Sequence, residues 1–245
     1  MKKILCLCWA FVLAACVHKP TVPEGFQSKM LSTTAMEFLI WEKEPVAKEP
    51  LHVYIEGSGD PNPARSQGLI LAGKDKRPNV VYLTQPCQYT DIPECANEAI
   101  WKEARYDIGI VNEMTEAILG LAKRYKTNKI ELIGYDSGAA LAMLLAPRTG
   151  ADRIITIAGI LDTDAYQAYH SKTPLSENNL NPAHELRKTA QIPQIHYVGT
   201  DDKDVPFSLT KRFIAGYKGT KSVYIKQVRD MGHTHWDDVP FDFYQ

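Results

Sequence analysis

After residue 20 the chain has no apolar run long enough to span a bilayer, which takes about 20 consecutive apolar residues. Neither charge is in excess. The 28 Lys and Arg and 29 Asp and Glu leave a net charge of −1, so no broad basic field draws in nucleic acid. There is no internal repeat and no low-complexity stretch, which sets aside solenoids and long disordered tails. Cysteine is scarce, five in 245 residues, well short of a disulfide scaffold. What remains is 44% hydrophobic and long enough to bury a substantial core in one domain.

The N-terminus reads as a targeting segment. Lys2-Lys3 is a basic start, residues 4–15 are an apolar core, and Leu13-Ala14-Ala15-Cys16 closes it. The pattern resembles a bacterial lipoprotein lipobox. That implies a signal peptide over 1–15 and lipidation of Cys16, whose acyl chains (palmitate among them) insert in a membrane. Val17 follows the cysteine in place of the Asp of an inner-membrane retention signal, which implies the outer membrane, facing the periplasm. Residues 16–30, with Pro20 and Pro23, read as the lipidated cysteine and its tether, and 31–245 as a single domain. Cys6 and Cys8 leave with the signal peptide. Cys87 and Cys95 remain, an even pair in an oxidising compartment, and are expected to form one disulfide; two free thiols are the alternative.

Strand-like and helix-like segments alternate through the domain. Strands are expected over 33–41, 51–56, 79–84, 130–133, 153–157, 194–198 and 222–228. Helices are expected over 65–74, 139–146 and 207–217, the second stopped by Pro147. Another helix carries Ile108, Val111, Met114, Ile118 and Leu121 at three- and four-residue steps. Residues 161–190 are polar and read as a small insertion over the site. The alternation predicts an α/β fold with a mostly parallel, doubly wound sheet and its chemistry at the carboxyl edge. The loop Gly57-Ser58-Gly59-Asp60-Pro61 follows a strand, yet Pro61 breaks a phosphate loop and the third glycine is missing. No cofactor is expected.

One absence bears on function more than the others. Gly134-Tyr135-Asp136-Ser137-Gly138 sits between a strand and a helix rich in small residues. It has the spacing of a nucleophile elbow, a turn so sharp that the residues two before and two after its centre must be small. The centre is Asp136, where serine is usual. A frame shifted to Ser137 would put Tyr135 and Ala139 at the flanks, and Tyr135 is bulky where the bend wants a small residue. The string Asp-Ser-Gly also occurs in chymotrypsin-type serine sites, but a strand leading into a helix argues against that all-β fold.

Two later loops offer partners. In Gly199-Thr200-Asp201-Asp202-Lys203-Asp204-Val205-Pro206 the spacing picks Asp202 as the acid, over Asp201 and Asp204. After the last strand, Gly232-His233 offers the base, with His235 the runner-up. Backbone groups of Gly57, Ser58 and Ser137 are candidates for an oxyanion hole. His233, His235, Asp237 and Asp238 lie on one loop with no distant third ligand, so no metal is expected.

The order nucleophile, acid, histidine is that of α/β-hydrolases. From about residue 50 onward the chain resembles that superfamily, and within it a group of bacterial α/β-hydrolase lipoproteins. The resemblance rests on His52-Val53-Tyr54-Ile55-Glu56-Gly57, Pro86-Cys87-Gln88-Tyr89, the elbow, Ala158-Gly159-Ile160-Leu161-Asp162 and Leu180-Asn181-Pro182. It implies a triad of Asp136, Asp202 and His233. An elbow aspartate is similar to that of dehalogenase- and epoxide-hydrolase-like relatives, whose carboxylate displaces halide or opens an epoxide. Those relatives carry a Trp after the nucleophile and a large cap; here Ser137 follows and the insertion is short. Tyr166 or Tyr169 could donate to an epoxide oxygen, depending on how the insertion folds. Three readings stay open at this point. The first is a hydrolase using Asp136 on a small-molecule or lipid-like substrate. The second is an esterase or lipase-like enzyme using Ser137. The third is a non-catalytic envelope lipoprotein that binds a lipid, peptide or partner protein.

Overall fold

The structure is a computed structural model that describes residues 22–57, 65–89 and 104–244. The signal peptide, Cys16, Ser58 and Cys95 lie outside the described residues.

Eight strands form one sheet in the order β1-β2-β4-β3-β5-β6-β7-β8. They are β1 (Phe26–Ser32), β2 (Glu37–Lys43), β3 (Leu51–Ile55), β4 (Val80–Leu83), β5 (Ile130–Tyr135), β6 (Arg153–Ile157), β7 (Gln194–Gly199) and β8 (Val223–Val228). From β4 to β8 every pairing is parallel. The β1–β2 hairpin is added antiparallel at one edge. The strand expected over 33–41 is present as β2, and an unexpected strand, β1, pairs with it and occupies part of the stretch read as tether. Of β1 only Phe26 is buried, so the strand carries no apolar alternation for a sequence reading to find.

Helices α1 (Gln67–Lys74), α2 (Ile108–Tyr125), α3 (Ser137–Thr149), α4 (Thr163–Tyr169), α5 (Leu186–Thr189) and α6 (Phe207–Ile214) connect the strands. On one face of the sheet, α2 buries Ile110, Val111, Met114, Ile118 and Leu121 against α3 and the strands. The other face is covered by α1 and by Trp236, Phe241 and Phe243 from the C-terminal segment. Each such side chain contributes about 1.5–3 kcal/mol when fully buried. Helix α3 is buried along nearly its whole length, which explains its run of Ala and Leu.

Pro147 does not stop α3 as expected. The helix continues to Thr149 and ends on Gly150 in the left-handed region at φ 68°. Pro147 removes one backbone donor and crowds the carbonyl four residues before it, and only Arg148 and Thr149 follow it in the helix. The Arg148 guanidinium meanwhile donates to the carbonyl of Leu144 at 2.6 Å.

The strand order reverses around β3, whose neighbours are β4 on one side and β5 on the other. At such a switch point the loops leave in opposite directions and open a crevice at the carboxyl edge. The loops after β3 and β5 begin at that crevice.

Candidate active site

Asp136 sits between β5 and α3 with φ 51° and ψ −122°, a conformation that L-residues rarely adopt. Its N–H donates to Ile157 O at 3.1 Å, and its carbonyl accepts from Ala139 N at 3.1 Å and Ile160 N at 3.0 Å. The flanking glycines have no room for a side chain. A Cβ on Gly134 would lie 2.4 Å from the carbonyl oxygen of Gly138, and one on Gly138 would lie 2.2 Å from that of Ile55. The bend is therefore centred on Asp136.

Ser137 is the first residue of α3 and is fully buried. Its hydroxyl accepts from Gln85 Nε2 at 3.3 Å and lies near the Tyr106 phenol. No hydrogen bond joins it to His233 among the described residues. Its backbone N–H belongs to the first turn, where helix geometry leaves donors free of intrahelical partners.

Asp202 follows β7 and has its side chain fully buried. Oδ1 accepts from the backbone N–H groups of Asp204 at 2.9 Å and Val205 at 2.8 Å. Oδ2 lies 2.9 Å from His233 Nδ1. The loops after β7 and β8 are tied together, Asp201 N to Met231 O at 2.9 Å and Asp230 N to Thr200 Oγ1 at 2.9 Å. The carbonyl of His233 is held by Tyr135 OH and Trp236 Nε1, each at 2.9 Å. Its Nε2 stands 3.5 Å from both Asp136 Oδ1 and Asp204 Oδ2. Asp136, Asp202 and His233 thus come together as one cluster. His235 is exposed, with its Nδ1 bonded to Thr234 Oγ1 at 2.8 Å.

Electrostatics sets the protonation of this cluster. Burial alone would lower the pKa of His233, and it is the largest single influence. The hydrogen bonds and charges of Asp136 and Asp202 together outweigh it and push the imidazole up to about 10. At neutral pH His233 is therefore an imidazolium. Glu56, at the end of β3, is pushed up to about 8 by burial, with the charge of Asp136 adding to it and hydrogen bonds from Ser66 and Gly57 opposing. It keeps its proton at neutral pH.

The backbone N–H of Gly57 donates to Glu56 Oε1 at 2.7 Å. In this arrangement it faces its neighbour's carboxyl and not a substrate oxygen, unlike the oxyanion donor expected of it. The loop itself is clamped from the Pro86-Cys87-Gln88-Tyr89 turn: Gln88 Nε2 donates to Gly57 O at 2.8 Å, and Gln85 Nε2 to Glu56 O at 2.9 Å.

Three groups near the cluster carried no distinguishing signal in sequence. Asp204 was one of three acids on a loop. Tyr106 stood at the entrance to a helix, and Glu56 at the end of a strand. Tyr166 reaches Asp204 at 3.3 Å, whereas Tyr169 is half-exposed at the end of α4. Asp136, Asp204 and His233 each present one ligand atom within 4.8 Å of the others. A cation there would require His233 to give up its Nε2 proton, and the sequence led us to expect no metal.

A strained residue between strand and helix, an acid after β7 and a histidine after β8, set on this strand order, are decisive for the architecture. The chain has the α/β-hydrolase fold. Solved structures of that fold superpose on it. An acylaminoacyl peptidase from Pyrococcus horikoshii matches with a TM-score of 0.67 at 15% identity, over 87% of this chain and 38% of the peptidase. A bacterial membrane phospholipase A matches with a TM-score of 0.60 at 17% identity, over 90% of this chain and 84% of the other. A proline iminopeptidase-related protein from Thermus thermophilus matches with a TM-score of 0.57 at 15% identity, over 89% and 94%. No protein-family model and no curated protein matches the sequence. The connection between β6 and β7 begins close to Asp136, whose carbonyl accepts from Ile160 N. That connection is small, built from α4, a short 3-10 turn (Pro182–His184) and α5.

Proposed function

We propose that this protein is a hydrolase in which Asp136 attacks a saturated carbon bearing a leaving group, as in an alkyl halide or an epoxide. The observation that carries the reading is the orientation of His233, whose Nδ1 is held by Asp202 while Nε2 faces Asp136. The carboxylate attacks carbon, the C–X or C–O bond breaks, and an alkyl ester forms on Asp136. An opened epoxide leaves an alkoxide that takes the imidazolium proton of His233; a halide leaves as the anion, and that proton goes to solvent. Either way Asp136 has lost its charge, so the pKa of His233 falls and the neutral imidazole can take a proton from water. The hydroxide attacks the aspartyl carbonyl, the alcohol or diol leaves, and carboxylate and imidazolium are restored.

An ordinary ester suits this site poorly, because the adduct would expel the carboxylate before the alkoxide. Nor does the geometry support Ser137 as nucleophile, since its buried hydroxyl is engaged by Gln85 and lies near the Tyr106 phenol. One observation favours the non-catalytic reading, in which the protein binds a lipid, peptide or partner protein: the Gly57 N–H is already satisfied by Glu56. We further propose that Cys16 carries the lipid, that the protein is anchored in the outer membrane facing the periplasm, and that Cys87 pairs with Cys95. Labelling with radioactive palmitate, lost in Cys16→Ser, tests the anchor.

The test of the reaction is turnover by the full chain in non-ionic detergent on alkyl halides, epoxides and acyl esters, comparing wild type with Asp136→Asn, Asp136→Ser and Ser137→Ala. The proposal expects turnover of a halide or epoxide, its loss in Asp136→Asn, and heavy oxygen in the Asp136 carboxylate after turnover in oxygen-18 water. Inert wild type beside an Asp136→Ser variant that cleaves esters would overturn it in favour of a binding role.

A further inference from the structure

A cavity of about 220 Å³ lies beside the cluster, lined among others by Arg105, Tyr106, Ile160, Thr163, Tyr166 and Lys172. Three of these touch the site itself. Ile160 N bonds the Asp136 carbonyl, the Tyr106 phenol lies near Ser137, and Tyr166 OH reaches Asp204. The cavity and the reacting groups therefore share a wall.

Its charge is opposite to that of the cluster. Asp136, Asp202 and Asp204 surround one imidazolium, whereas the cavity presents Arg105 and Lys172. Neither cation meets a carboxylate within ion-pair distance among the described residues. Arg105 sits close enough to the Tyr106 phenol to act on it electrostatically. Lys172 donates to Tyr166 OH at 3.3 Å and lies 4.8 Å from the centre of that ring. Two tyrosines thus hold two cations at the rim of a mixed polar and apolar cavity, where an anion would meet them with charge-assisted hydrogen bonds.

We propose that this cavity is a subsite for a short anionic group of the substrate, a carboxylate or a phosphate. The electrostatics then fixes the pose. The negative end lies on Arg105 and Lys172, repelled by the aspartates, and the reacting carbon points back toward Asp136. A volume of about 220 Å³ admits a group the size of succinate. The inference deepens the reading of the site as a hydrolase and names its substrate class.

Binding tests it apart from turnover. Isothermal titration of the full chain in non-ionic detergent would use succinate, its neutral diamide and inorganic phosphate as probes. Succinate or phosphate should saturate a single site, with the tighter of the two naming the anion, and the diamide should bind at least about tenfold more weakly. Arg105→Gln and Lys172→Gln should each weaken the anion about tenfold; Lys172 is exposed, so its variant serves if the Arg105 variant fails to fold. Equal binding of anion and diamide, no binding of either anion, or variants that bind as wild type would overturn the proposal. Anion binding with no turnover of any halide or epoxide would leave the subsite standing and remove the reaction proposed for Asp136.

Discussion

Replacing Asp136 by Asn should lower the pKa of His233 by roughly 1–3 units. The substitution keeps the shape of the side chain and removes its charge. His233 Nε2 is 3.5 Å from Asp136 Oδ1, with side chains 22% and 12% exposed. At an effective dielectric constant of about 20, unit charges at that separation attract by about 5 kcal/mol. Partial exposure screens this toward the lower figure, and Asp202 still holds Nδ1, so His233 in the variant should titrate at about 7–9, against about 10 in wild type. Nuclear magnetic resonance of histidine-labelled protein would follow the ring from about pH 5 to about 11, with His233→Gln assigning the signal. A stability measurement has a definite sign. The pKa is raised on folding, so the stabilisation is complete below about 6.5 and is lost as pH climbs through about 10. The interval of about 3.5 units corresponds to on the order of 5 kcal/mol at 1.36 kcal/mol per unit. In Asp136→Asn that alkaline loss should be smaller and end at lower pH. A wild-type His233 that titrates near its ordinary value, or one indifferent to Asp136→Asn, would refute the ion-pair account of the site.

Gly138→Ala would drive a Cβ to 2.2 Å from Ile55 O and 2.5 Å from Glu56 O; with backbone on both sides, a loss of about 3 kcal/mol or more is expected, seen as a melting temperature lower by about 6–12 °C. Gln88→Leu frees the Gly57 carbonyl, which should cost about 0.5–1.5 kcal/mol in chemical denaturation and reduce turnover; a variant equal to wild type in both would show that the clamp is idle. Glu56→Gln should gain on wild type by about 1.4 kcal/mol per pH unit between about 4.5 and about 8, because burying the protonated acid becomes steadily more costly over that interval. Denaturation at the two ends of the interval checks this, and a pH-independent difference would mean that Glu56 is ionised in the folded protein.

How much of this was legible in sequence depended on how local the physics was. The bend at Asp136 could be read because its steric demand falls on two nearby residues, Gly134 and Gly138. The stripe from Val111 to Leu121 could be read because one buried helix face imposes its own period. Asp202 was separable from its neighbours by spacing. That Asp204 also reaches His233 depends on how the loop folds over the β8 connection, and no local pattern encodes it. The hairpin strand β1 escaped because four of its seven residues in a row, Gln27 to Met30, are exposed, and edge pairing is made by backbone. Gly57 looked like an oxyanion donor because glycine after a strand usually frees an N–H. Here the adjoining Glu56 is buried and takes that N–H itself. Arg105 and Lys172 lie far apart in the chain and meet only through two tyrosines across a cavity.

The strain at Asp136 bears on whether the aspartate is merely a leftover of the fold. Holding a non-glycine residue at φ 51° and ψ −122° costs about 1–3 kcal/mol, and glycine would avoid that cost. A purely structural aspartate at the start of a helix would recover some of it by capping, since its carboxylate can accept from the first-turn N–H groups and meets the positive end of the helix dipole. Asp136 makes no such side-chain cap. One carboxylate oxygen instead faces His233, whose other nitrogen is held by an acid that two backbone N–H groups lock in place. The geometry thus retains the strain, forgoes the cap and directs the charge at the imidazolium. That combination suits the nucleophile role proposed for Asp136, because such a carboxylate must sit close to the group that later activates water.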